Sequence, residues 1–134
     1  MEENQQEIML KLSMYEQQVQ QLQQQLQAIE QSLVELNSLS LGVEDLKGKI
    51  GKEIMAPIGR GIFVKAKVMD ETLRVDVGDK IFVNKTIPET KKLIDEQVKK
   101  LEDVKKEMDM DLERLANEIQ GVIMDAQGKE KKAE

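Results

Sequence analysis

Apolar residues recur at alternating steps of four and three through the first part of the chain: Ile8, Leu12, Tyr15, Val19, Leu22, Leu26, Ile29, Leu33 and Leu36. That spacing is the a/d seam of a coiled coil. The positions between are mostly Gln and Glu, as in QQVQQLQQQLQ, good helix formers that keep the outer face wet. A low-complexity tract would have no reason to keep one face apolar. Past Leu36 the seam is expected to run through Leu39, Val43, Leu46 and Ile50. The step from 36 to 39 repeats a step of three, which overwinds a coil locally. Ser38, Ser40 and Gly42 weaken the helix there, and Gly48 and Gly51 mark its end.

A second helix is announced by Thr86-Ile87-Pro88-Glu89, a capping box with Thr86 as the cap and Glu89 reaching back. Pro88 falls in the first turn, where a missing N–H is harmless. The following seam is Ile94, Val98, Leu101, Lys105, Met108, Leu112, Leu115, Ile119, Val122 and Ala126, broken only at Lys105, with Val104 beside it to share the burial. Glu96 to Lys100 and Glu102 to Lys106 have ion-pair spacing on the outside. Helices this long are not stable singly in water. The simplest arrangement pairs them antiparallel, with both chain ends at one tip and the middle segment at the base.

A helical hairpin needs only a few linking residues, yet residues 53–85 read as strands. Period-two alternation predicts Glu53–Ile58, Ile62–Val68, Leu73–Val77 and Ile81–Lys85, separated by Gly59-Arg60-Gly61, residues 69–72 and Gly78-Asp79-Lys80. These strands are expected to form one small sheet with two open edges. Small sheets are marginal alone and open edges invite pairing, so the segment reads as an assembly module. The organisation is therefore an N-terminal helix over 1–52, a double β-hairpin over 53–85, a C-terminal helix over 86–128 and a flexible tail over 129–134, which carries Lys129, Lys131 and Lys132 among acids. The fold class is α+β: a long antiparallel two-helix coiled coil joined at its base by two small β-hairpins.

Composition narrows the chemistry. There is no Cys and no His, which removes thiol nucleophiles, disulfides, imidazole catalysis and the usual zinc ligands. A net charge of −6 gives no basic face for phosphates, so nucleic acid is not an expected partner. No apolar run is long enough to cross a bilayer, and the acidic start MEENQQE is unlike a signal peptide. A cytoplasmic protein without cofactor, metal or enzymatic activity is expected. Gly59-Arg60-Gly61 lacks the third glycine and helix of a dinucleotide loop, and GKIGKE lacks the Ser or Thr of a phosphate loop. Asp109, Asp111 and Glu113 are spaced by two on a helix and point apart.

Surplus apolar residues gather near both termini. Met9, Leu10 and Met14 lie outside the seam that includes Ile8, and Ile123 and Met124 flank seam residue Val122. Unbranched, polarizable Met suits a surface that meets many partners; a wider core or a third packed helix is the structural alternative. Candidate binding residues are thus Ile8, Met9, Leu10, Met14, Val122, Ile123 and Met124. Candidate assembly residues are Ile58, Ile62, Val64, Leu73, Val75, Val77, Ile81 and Val83.

The order of long helix, APIGRGIFVKAKV, LRVDVGDKIFVNKTIPET and long helix resembles the alpha class of archaeal prefoldin. The first block carries that family's pattern at Pro57, Ile58, Gly59, Gly61, Phe63, Lys65 and Ala66. The second carries it at Val75, Val77, Gly78, Val83 and Lys85. The likeness spans about residues 5–127. It departs at Arg60, where members often have a small residue, and at Asp79-Lys80, where they often have Ala-Gly. The resemblance implies an ATP-independent hexameric co-chaperone of two alpha-type and four beta-type subunits (α2β4). In it the hairpins join an intersubunit β-barrel platform, the coil tips hold unfolded polypeptides, and clients pass to a group II chaperonin. Two other readings stay open: a self-assembling, filament-forming relative of the gamma-prefoldin kind, and a coiled-coil adaptor for one specific partner.

Overall fold

The computed structural model describes residues 2–133, and the side chains of residues 3–128. Helix α1 spans Glu2–Asp45. It is followed by strands β1 (Glu53–Gly59), β2 (Ile62–Lys67), β3 (Leu73–Asp76) and β4 (Phe82–Lys85), and by helix α2 (Ile87–Ala133). The long helices and two antiparallel hairpins are those the sequence predicts. The first helix stops at Asp45 rather than near residue 52. Leu46 N–H donates to the Val43 carbonyl and Lys47 N–H to that of Glu44, tightening the last turn, and Gly48 then adopts a φ of 72°. Helix α2 continues through Ala133, beyond the start of the expected tail; Glu134 and the side chains of the tail lie outside the described residues.

The chain divides into two compact units. One comprises residues 33–100: the end of α1, both hairpins and the start of α2. Its core is Val43, Ile87 and Ile94, with Leu36, Leu46, Leu73 and Val98 packed against them. The Thr86 cap forms, with the Glu89 carboxylate meeting the cap's hydroxyl rather than its N–H. The Thr86 hydroxyl accepts from the Glu89 N–H at 3.2 Å and donates to Glu89 Oε1 at 3.0 Å. It launches α2 with Ile87, 2% exposed, already seated in the core.

The strands make two separate two-stranded sheets, β1–β2 and β3–β4, instead of one four-stranded sheet. In the link between β2 and β3, Asp70 Oδ1 accepts from the Thr72 N–H at 2.9 Å, and Glu71 Oε1 accepts from the Gly48 N–H at 2.7 Å, which ties the link to the residues just after α1. Both hairpin turns close despite their unusual residues. Arg60 and Gly61 both have positive φ, as do Asp79 and Lys80, the condition of the two-residue turns whose twist matches paired strands. A bulge at Ile58 shifts the register from Pro57↔Phe63 to Gly59↔Ile62 and pushes that side chain out of the ladder.

The other unit comprises residues 1–32 and 101–134. Here α1 and α2 run side by side. Lys105 Nζ lies 3.6 Å from Glu30 Oε1, and Leu22 and Gln25 share a shallow hollow with Asp111 and Leu115. Contacts rise along α2 as they fall along α1, so the pair is antiparallel. Leu115, 3% exposed, anchors a seam whose other members are half-buried. Lys105, the one charge on the seam, is answered by Glu30 across it; Val104 does not share the burial and stays exposed.

Candidate interaction surfaces

Which face of each helix is left over follows from the seam. On α1 the alternation of four and three continues unbroken through Leu33, Leu36, Ser40 and Val43, all half-buried or buried. The expected step to Leu39 is therefore corrected: Leu39 is 53% exposed, and the small hydroxyl of Ser40 holds the seam position. No overwinding step is needed. Ile50 is also exposed, in the turns after α1. Val34 and Leu41 share an outward face of α1, while the exposed Leu39 lies on another side of the helix, beside β3.

In the helical unit, Ile8 and Val122 are half-buried on the seam. Met9, Leu10, Met14, Ile123 and Met124 all point outward, with Met9 70%, Met14 54% and Met124 63% exposed. The antiparallel register places the first turns of α1 and the last turns of α2 at the same end of this unit. Met110 joins them as an outward apolar residue at 69%, flanked by Glu113, Arg114, Asn117 and Glu118 around a shallow hollow. Its signal in the sequence is its place two residues past seam residue Met108. Among the described residues, no group of three or more acidic side chains is gathered as for a metal.

In the hairpin unit, the candidate assembly residues separate into two sets. Ile58, Ile62, Val64, Val77, Ile81 and Val83 are exposed, as are Phe63 and Phe82, which the assembly set omitted. Leu73 and Val75 are half-buried. Leu73 packs on the Val43–Ile87–Ile94 core, and Leu73, Val75 and Val77 line an open groove of about 660 Å³ with Leu36, Leu39 and Ile94. One face of β3 is thus spoken for by the chain's own helices, whereas β1 and β2 carry apolar groups on both faces. Each two-stranded sheet leaves both outer edges unpaired. No described side chain in the molecule is less than 2% exposed.

Electrostatics at this unit serve structure. Lys91 Nζ donates to Glu44 Oε2 at 2.7 Å, and Lys47 Nζ lies 3.3 Å from Glu44 Oε1. Lys91, and after it Lys47, hold the Glu44 carboxyl below its ordinary range. The pair joins α1 to α2 as Glu30–Lys105 does in the other unit.

The family model of the prefoldin subunit matches residues 15–132, which include most of both helices and the whole double hairpin. The chain belongs to the prefoldin family. Among its relatives are alpha subunits from archaea. It is 32% identical over 99 residues to prefoldin subunit alpha of Methanobrevibacter smithii, covering 72% of this chain and 67% of that one. It is 35% identical over 107 residues to the alpha subunit of Methanococcus maripaludis, covering 78% and 72%. Prefoldin subunit alpha 1 of Methanocaldococcus jannaschii aligns over 92% of this chain and 85% of its own length at 28% identity. The fold is that of a chain in the cryo-EM structure of filamentous PFD from Methanocaldococcus jannaschii, with a TM-score of 0.75, 24% identity, and 84% and 95% of the two chains covered. The prefoldin alpha likeness agrees with the hairpin blocks read from the sequence; Arg60 and Asp79-Lys80 sit in the two hairpin turns.

Proposed function

We propose that this prefoldin subunit works as the alpha-type member of a cytoplasmic α2β4 hexamer that holds unfolded polypeptides without ATP and passes them to a group II chaperonin. The observation that carries this reading is the segregation of apolar surface. Branched and aromatic residues cluster on hairpin strands with unpaired outer edges in one unit, and outward methionines cluster towards the termini in the other. The strands Ile62–Lys67 and Phe82–Lys85 join an intersubunit β-barrel with beta-type subunits, which satisfies their open edges. Met9, Leu10, Met14, Ile123 and Met124, with Ile8 and Val122 behind them, contact the client. Each such contact is weak, and several coils acting on one chain raise the avidity.

The test is a Met9→Ser, Met14→Ser, Met124→Ser triple variant assembled with a beta-type subunit. It is expected to suppress the aggregation of a chemically unfolded protein several-fold less well while light scattering returns the same complex mass. Loss of the complex itself would defeat the division of labour. The unpaired edges also support a second reading, self-assembly into filaments. A broad, very large species formed by the purified chain alone, resolving into regular fibres, would favour it over the hexamer.

A further inference from the structure

The chain has no cysteine, so its sulfur chemistry rests on methionine. The distribution of methionine is uneven. Among the described residues of the helical unit, four of the seven large exposed apolar residues are methionines: Met9, Met14, Met110 and Met124. In the hairpin unit only two of fourteen are, Met55 and Met69. The seams are built almost wholly of Leu, Ile and Val, and Met108 is the one methionine among them, half-buried.

We infer that Met9, Met14, Met110 and Met124 form a peroxide-sensitive surface whose reversible oxidation to sulfoxide lowers client holding while leaving coil and assembly intact. The inference rests on the reading above that Met9, Met14 and Met124 hold clients, and it extends that surface along the coil to Met110. In the reaction the thioether sulfur attacks one oxygen of hydrogen peroxide. The O–O bond breaks, the S–O bond forms, and the other oxygen leaves as water after taking up the transferred proton. Sulfur loses two electrons and the peroxide gains them. The product is a polar sulfoxide where a soft apolar group stood, reducible again by methionine sulfoxide reductases. Exposure sets susceptibility, so the outward four react ahead of Met108 on the seam. The coil, closed by Leu, Ile and Val that peroxide does not attack, keeps its geometry.

The experiment treats the assembled complex with hydrogen peroxide. Sulfoxide at each methionine is followed by peptide mass spectrometry, complex mass by light scattering, and holding by suppression of aggregation of a chemically unfolded model protein. The outward four are expected to oxidise ahead of Met108. Suppression should fall several-fold in step with them at constant complex mass, and recover on treatment with the A and B reductases. A variant with all four replaced by Leu, whatever its starting level, is expected to keep that level after peroxide. Suppression that persists with the four fully oxidised would overturn the inference. So would an equal loss in the Leu variant, or a loss that tracks disassembly of the complex. A complex that suppresses nothing before peroxide would instead overturn the holding reading, and this inference with it.

Discussion

The unit formed by residues 1–32 and 101–134 shows its apolar groups on the outer faces of two helices, and most are methionine. The unit formed by residues 33–100 shows them mainly on strands and on the end of α1, as Ile, Val, Leu and Phe. The two surfaces are similarly exposed but differ in stiffness. Branched and aromatic side chains on a pleated strand fit one partner in one register, because a slip by one residue turns every side chain to the other face. An unbranched thioether adapts to whatever it meets. Exposure is common to both; under the proposed function, the shape of the side chains separates the fixed interface from the adaptable one.

The largest expected effect breaks the fixed interface. Ile62→Asp with Val83→Asp places charges where the platform would bury them, at several kcal/mol each. Light scattering should then return single chains, while circular dichroism keeps most of the helical signal. The next contrast lies between seam and outer face. Leu115→Ala should cost about 2–4 kcal/mol in thermal or urea unfolding, whereas Leu39→Ala should stay within about 0.5 kcal/mol in the chain alone. A comparable loss at Leu39 would return it to the seam and displace Ser40.

Smaller still is the capping box. Thr86→Ala removes the hydroxyl that accepts from the Glu89 N–H and should cost about 1 kcal/mol. The smallest effect is electrostatic. Because Lys91 and Lys47 depress the Glu44 carboxyl, its contribution to stability is present above the ordinary carboxylate range and is lost as pH falls through the depressed value. Glu44→Gln should therefore narrow the difference in stability between neutral and acid pH, and leave the acid-limb stability nearly unchanged.

Much of this was legible in the residues themselves. The four-and-three spacing from Ile8 to Leu36 and the Thr86–Glu89 box foretell both helices, and the alternation in LRVD foretells β3. Three features were not. Ser40 holds the seam, but a hydroxyl does not register in a search for apolar spacing, so the neighbouring Leu39 is taken instead. Lys105 looks like a defect because its answer, Glu30, stands on the other helix, far away in sequence. The split into two sheets does not show in the period-two pattern, which marks strands without saying which of them pair. The outward methionines were readable from their positions off the seam; Met110 was missed because it lies away from the terminal cluster.

The most direct test of the division between the two units is to map where a client touches. An unfolded model protein carrying a photo-crosslinker would be bound to the assembled complex, irradiated, and the attachment sites on this chain located by mass spectrometry. Crosslinks concentrated at Met9, Leu10, Met14, Ile123 and Met124, with residues 53–85 silent, are the result predicted here. Crosslinks concentrated on the hairpins, with the terminal methionines untouched, would contradict it.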